Sequence, residues 1–169
     1  MGLIETGFLT YEELSSLQTP PTGEQYAKGP VAVAECVQEI PCNPCEAACP
    51  FGAIRVGDPI TNLPRVDYGK CTGCGTCVAK CPGMAIFVVN KAYEENTATV
   101  AFPFEYYPVP QAGDTVRAVN RRGEFQCEAK VVKVQAPASF DHTPVITVEI
   151  PKELADEVRS IERKCGEDE

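Results

Sequence analysis

At 169 residues the chain is long enough for about one domain or two small ones, which excludes a large enzyme core. Fifteen Lys and Arg against 24 Asp and Glu give a net charge of −9, so neither nucleic acid nor an anionic membrane surface is expected as a partner, and proteins or soluble redox carriers are. Ten cysteines make metal the first suspicion, while the single histidine, His142, excludes catalysis that needs two imidazoles.

No apolar run approaches the ~20 residues of a membrane span, and Met1-Gly2-Leu3-Ile4-Glu5 is not a basic segment followed by an apolar one. The expectation is a soluble, cytoplasmic protein. That compartment is reducing, which favours thiolate ligands over disulfides.

Residues 1–30 read as an arm. Thr10 and Glu13 form a potential capping box for a short helix carrying Leu14 and Leu17, and Thr19-Pro20-Pro21-Thr22-Gly23 stops it. The arm is expected to pack on its own protein or on a partner, with disorder as the alternative. Residues 31–90 hold eight of the ten cysteines and form the first domain. Residues 91–150 are β-rich, with strands predicted over 97–102, 115–119, 125–135 and 145–150, and a hairpin turn at Asn120-Arg121-Arg122-Gly123. Pro151 then suits the first turn of an amphipathic helix in residues 151–169, where Leu154, Val158 and Ile161 share one face ahead of an acidic tail. The predicted fold class is α+β, with a small β-rich barrel or sandwich domain and a C-terminal helix following the cysteine-rich domain.

The second half of the cysteine-rich segment reads Cys71-Thr72-Gly73-Cys74-Gly75-Thr76-Cys77-Val78-Ala79-Lys80-Cys81-Pro82, or C-x2-C-x2-C-x3-C-P. Three thiolates at two-residue gaps let the backbone wrap one face of an iron–sulfur cubane, with Gly73 and Gly75 allowing close approach. The three-residue gap to Cys81 is about one helical turn, and Pro82 disfavours helical geometry at Cys81, so this last sulfur is carried to a different cluster. A shift of 32 residues lays Cys42, Cys45, Cys49, Pro50, Ala53 and Ile54 on Cys74, Cys77, Cys81, Pro82, Ala85 and Ile86, an internal repeat of C-x2-C-x3-C-P-x-x-A-I.

These motifs resemble the bacterial two-[4Fe-4S] ferredoxin, over residues 31–90. The resemblance implies a pseudo-twofold domain with its terminal strands, 31–37 and 86–90, paired, in which each cluster takes three cysteines from one motif and the last cysteine of the other. It therefore implies Cys36, Cys42, Cys45 and Cys81 around one cluster and Cys71, Cys74, Cys77 and Cys49 around the second. Cys36 departs from the pattern. The repeat pairs Cys71 with Glu39, and Cys36 stands in for the missing cysteine in C-x5-C-x2-C-x3-C-P, reaching the vacant corner through a bulge before Pro41. The competing readings are a [3Fe-4S] cluster, Glu39 as an oxygen ligand, or Cys36 as a buried strand residue. Two oxidised clusters with their thiolates would bring the total charge to about −13.

Zinc is the main competitor for the cysteines, although structural zinc sites usually present two separated pairs. Disulfides are disfavoured by the close spacing. Cys127 reads as a small strand residue, Cys165 as a free thiol near the tail, His142 as a loop residue, and Arg121 and Arg122 as solvated residues of a hairpin tip. The aromatic run Phe102-Pro103-Phe104-Glu105-Tyr106-Tyr107-Pro108 suits inter-domain packing or an interface. Pro44 between Cys42 and Cys45 has no N–H to offer, and no glycine lies between Cys42 and Cys49, so the first-motif cluster is expected to be the harder one to reduce.

No nucleophile with a base, phosphate loop or paired catalytic carboxylates is recognisable, so the chain is not expected to be an enzyme by itself. The expected function is electron transfer through two [4Fe-4S] clusters, as the iron–sulfur subunit of a larger oxidoreductase whose partner chain is a flavoprotein. The run from Lys28 to Val31 and from Ile40 to Pro50, with the appended β-rich part, also resembles small ferredoxin-type subunits found with anaerobic flavin-dependent amino-acid or opine dehydrogenases. A freely diffusing ferredoxin and a non-transferring structural or sensor module are the alternatives.

Overall fold

The computed structural model describes residues 2–18 and 20–163; Cys165 and the acidic tail lie outside the described residues. Three short helices, α1 (Leu3–Thr6), α2 (Tyr11–Leu17) and α3 (Gly23–Ala27), make up the arm. The Thr10–Glu13 capping box is formed at α2, as its spacing predicts. A second box, Thr22 with Gln25, starts α3 within the stretch that the prolines and Gly23 mark as a helix stop. Leu9, Leu14 and Tyr26 are buried, so the arm packs on its own chain.

Strand β1 (Val31–Ala34) ends sooner than its apolar pattern suggests, and residues 35–43 follow without regular structure. Then come α4 (Pro44–Ala48), β2 (Ile54–Arg55), β3 (Arg65–Val66), α5 (Thr76–Lys80) and β4 (Ile86–Asn90). Helices α4 and α5 begin 32 residues apart, as do Ile54 and Ile86 at the starts of β2 and β4. The duplicated sequence thus builds the same order of elements twice. Their strands pair crosswise: β1 with β4, Val31 opposite Val89, and β2 with β3, Ile54 opposite Val66.

The remaining strands are β5 (Thr97–Pro103), β6 (Thr115–Val119), β7 (Phe125–Gln135), β8 (Val145–Pro151) and β9 (Ser160–Ile161). They join β1 and β4 in a single sheet of order β1-β4-β5-β8-β7-β6-β9. The link is β4 to β5, with Val89 opposite Val100, so the cysteine-rich part and the β-rich part share one hydrogen-bonded sheet. Alternation along β4 decides what each face does. Phe87 and Val89 join a core with Val100, Phe102, Val116, Val131, Val148 and Ile161 from β5 to β9, which requires the sheet to curl upon itself. Ile86 and Val88 face the other way, into a core with Cys45, Cys77, Val78 and Ile54. Burial on both faces is why β4 reads as a continuous apolar run.

The helix expected after Pro151 does not form among the described residues, which end at Arg163. Lys152–Leu154 make a short 3₁₀ turn and the chain extends into β9, where Ile161 pairs with Ala118. The open edge of β6 wins this segment: Arg159 N–H donates to Val119 O at 3.0 Å and Glu162 N–H to Arg117 O at 2.8 Å. Val158 and Ile161 are still buried, because an extended chain lying on the core hides them as well as a helix would.

Candidate metal centre

Cys45 and Cys77 occupy equivalent second positions of α4 and α5, and both are buried where the two helices pack. Cys49 and Cys81 are the C-caps, with nearly identical extended backbones, φ −74°, ψ 108° and φ −78°, ψ 109°. Pro50 and Pro82 impose this geometry by excluding the helical region for the residue before them. The exit swings each C-cap sulfur away from its own loop. Cys49 lines a cavity with Cys71, Cys74 and Cys77. Cys81 lines a second cavity with Cys36, Cys42 and Cys45.

Cys36 is therefore brought beside Cys42 and Cys45 despite its odd spacing, whereas Glu39 is exposed and does not line that cavity. Among the described residues no three His, Cys, Asp or Glu side chains close around a single-ion position. Four sulfur donors lining each of two cavities suit a polynuclear iron–sulfur group.

Backbone amides are aimed at the sulfurs. Ala53 N–H donates to Cys49 Sγ at 3.2 Å, and its repeat equivalent Ala85 N–H to Cys81 Sγ at 3.4 Å. Ala32 N–H, on β1, donates to Cys71 Sγ at 3.2 Å. Burial pushes the Cys45 thiol up to about 11, with the Cys81 and Cys42 sulfurs adding to it. Burial likewise raises Cys77 to about 12, reinforced by Cys71 and Cys74. At Cys49 burial acts in the same direction but is outweighed by the amides of Ala53, Phe51, Ile54 and Gly52, which hold the thiol below its ordinary value. A bound metal would take these sulfurs as thiolates, the ligand form of cysteine.

Gly73 serves a need that differs from close approach to a cluster alone. Its φ is +65°, and a Cβ there would lie 2.6 Å from both Cβ and O of Pro30. Gly75, at φ +83°, begins α5 and has open space around it.

The other residues singled out from sequence lie away from the two cavities. Cys127 is a β7 residue packed on the larger core. His142 sits in a loop at φ +65°, beside Asp141, which pairs with Lys80 of α5. In the aromatic run Phe102 and Phe104 are core residues, while Tyr106 and Tyr107 are exposed.

Arg121 is not solvated. It binds Glu35 bidentately at 2.8 and 2.6 Å, and Arg159 donates to the same carboxylate at 2.6 Å. Burial alone would raise the Glu35 carboxyl, but the two guanidiniums outweigh it and hold the group below its ordinary value. Nothing local in the sequence marks these contacts, which span 86 and 124 residues. Arg122, by contrast, lies over the Phe8 ring of the arm.

Comparison with known proteins agrees with the sulfur-lined geometry. Residues 64–87 match the model of the 4Fe-4S binding domain. One subunit of the Na(+)-translocating ferredoxin:NAD(+) oxidoreductase complex of Acetobacterium woodii is 48% identical over 50 residues, covering 30% of this chain and 14% of that protein. One subunit of an ion-translocating oxidoreductase complex of Methanosarcina acetivorans is 50% identical over 60 residues, 35% of this chain and 22% of that one. A selenate reductase subunit of Mesobacillus selenatarsenatis is 34% identical over 58 residues, 34% of this chain and 19% of that one. The chain thus spans less than a quarter of the length of each of these relatives. No solved structure matches it. The chain carries a ferredoxin-type iron–sulfur domain that binds a 4Fe-4S cluster.

Proposed function

We propose that the chain relays single electrons through two [4Fe-4S] clusters and does so as the iron–sulfur subunit of a larger oxidoreductase with a flavoprotein partner. The observation that carries this reading is the pair of four-cysteine cavities, Cys36, Cys42, Cys45 and Cys81 in one and Cys49, Cys71, Cys74 and Cys77 in the other, joined through α4 and α5. When bound, such clusters supply one-electron redox chemistry at potentials set by charge, amide hydrogen bonds and exposure. The protein's own part is to hold the sulfurs, to aim the Ala32, Ala53 and Ala85 amides at them and to shield them with Ile54, Val78 and Ile86. The arrangement suits a two-site relay, with an α+β scaffold of repeated loops set against a curled β-rich sheet.

Matches to subunits of oxidoreductase complexes support the subunit role over a free carrier, as does the length of chain outside residues 31–90. The test is anaerobic purification from the native source with counts of iron, sulfide and bound flavin. About eight irons per chain, reversible reduction of both clusters and a co-purifying flavoprotein are expected. About four irons, or clusters that cannot be reduced reversibly, would overturn the relay.

A further inference from the structure

We infer that Glu35, held by Arg121 and Arg159, is the positioning residue that seats the Cys36 sulfur, so that the β-rich part of the chain fixes the fourth corner of the first cavity. This rests on the relay reading above. Cys36 cannot be placed by local geometry. Cys42, Cys45 and Cys49 ride on a loop and helix whose spacing sets their sulfurs, but Cys36 belongs to the irregular residues 35–43, beyond the end of β1.

The anchors of this stretch come from distant parts of the chain. Glu35 N–H donates to Ala85 O at 2.8 Å, continuing the pairing of β1 with β4. The Glu35 carboxylate takes two hydrogen bonds from Arg121, in the β6–β7 turn, and one from Arg159, just before β9. Those guanidiniums are themselves fixed: Arg121 donates to Asp156 O at 2.7 Å, and Arg159 to Ala155 O at 2.9 Å and Val158 O at 2.6 Å. On the other side of the peptide, Gln18 of the arm donates to Cys36 O at 2.6 Å. The Cys36 backbone is thus clamped one residue upstream by the β-rich part and at its own carbonyl by the arm.

Energy makes the same point. Side-chain exposures of 11% for Glu35, 10% for Arg121 and 4% for Arg159 mark a buried ion network. Such a network often stabilises a fold no better than apolar residues of equal volume would, and in this protein its part is to fix geometry. A device of that kind is expected where one atom must be held in place, and the residue next to it is Cys36.

The test uses the full chain purified without oxygen, with iron counts and the paramagnetic resonance of each cluster. Cys36→Ser is the reference; it is expected to reduce the first-cavity cluster to three irons and leave the second intact. Arg159→Gln and Glu35→Gln are expected to convert at least half of the first-cavity cluster to the three-iron form, and Arg159→Lys a smaller share. The exposed pair Arg117–Glu162 supplies the control, Arg117→Gln, in which both clusters remain whole. Because an unpaired buried charge can unfold the chain, Glu35→Leu combined with Arg121→Leu and Arg159→Met removes the network while keeping its volume; a folded protein with the three-iron signature is expected. Full four-iron content in that variant, or equal loss of both clusters in Arg159→Gln, would overturn the positioning role. Two intact four-iron clusters in Cys36→Ser would instead overturn the ligand assignment on which it rests.

Discussion

The backbone N–H of Ala53 points at Cys49 Sγ from 3.2 Å, four residues after the cysteine it serves. The same contact recurs 32 residues later between Ala85 and Cys81 at 3.4 Å. Proline after the cysteine ends the helix, the next residues turn, and the fourth returns its amide to the sulfur. Ala53 is buried at the wall of the second cavity, and Ala85 is half-buried.

The amide donors are unequally shared, and this orders the two clusters. Among the described residues the second cavity has Ala32 on Cys71 and the amides of Ala53, Phe51, Ile54 and Gly52 on Cys49, whereas the first has Ala85 on Cys81, Gln38 on Cys36 and Glu46 on Cys45. Amides aimed at sulfur stabilise the reduced, more negative cluster. The first-cavity cluster is therefore expected to have the lower potential, by on the order of 60 mV, a tenfold difference in a one-electron equilibrium. Potentiometric titration followed by cluster-resolved spectra checks this, with Cys36→Ser identifying which signal belongs to the first cavity. The reverse order would mean that amide donation does not set the two potentials.

Gly73 and Gly75 differ in why they must be glycine, and alanine separates the reasons. Both have positive φ, which costs alanine about 1 kcal/mol or somewhat more. Only at Gly73 would the new Cβ also collide with Pro30, at 2.6 Å. Gly73→Ala is expected to push the Cys71–Cys77 loop off β1 and lose the second-cavity cluster. Gly75→Ala should keep both clusters and lower the unfolding midpoint modestly. Iron content and thermal unfolding of the two variants, measured side by side, decide it.

The Thr22 box holds a five-residue helix that would not persist alone. Thr22 Oγ1 accepts from Gln25 N at 3.3 Å, and Gln25 Oε1 accepts from Thr22 N at 2.7 Å. The helix presents Tyr26 to the main core beneath the Lys91 ammonium, 4.3 Å from the ring centroid. Thr22→Ala is expected to cost about 1 kcal/mol. Urea unfolding at equal cluster content measures it, and an unchanged midpoint would mean that α3 is held by Tyr26 alone.

What is legible in the sequence is what local spacing controls. The two cysteine repeats, the turn at Asn120 and the strands from Thr115 to Val119 and Phe125 to Gln135 follow from residues near one another, and the observed elements keep those bounds. The segment after Pro151 misleads because Leu154, Val158 and Ile161 fit a helical face, while the competing partner, the open edge of β6, lies far away along the chain. The Glu35 network is hidden for the same reason. Arg121 in a turn looks solvated until a carboxylate from the end of β1 is folded against it.

The two buried cores predict how the protein behaves when its metal is removed. The buried members of one core are β-strand side chains, apart from Tyr26, Phe104 and the segment before β9, and Cys71 is packed against it only as a partly buried neighbour. The other includes Cys45 and Cys77 among Ile54, Val78 and Ile86, so its packing depends on what the sulfurs hold. Stripping iron with a chelator under reducing conditions is expected to abolish amide exchange protection across residues 42–82 while β5, β7 and β8 remain protected. Local stability of this kind is readable by hydrogen exchange and mass spectrometry on the intact chain. The paired strands β4 and β5 should mark the boundary, with Val89 and Val100 still protected because their side chains face the core that contains neither Cys45 nor Cys77. Simultaneous loss of protection throughout the sheet would show instead that both cores unfold as one unit.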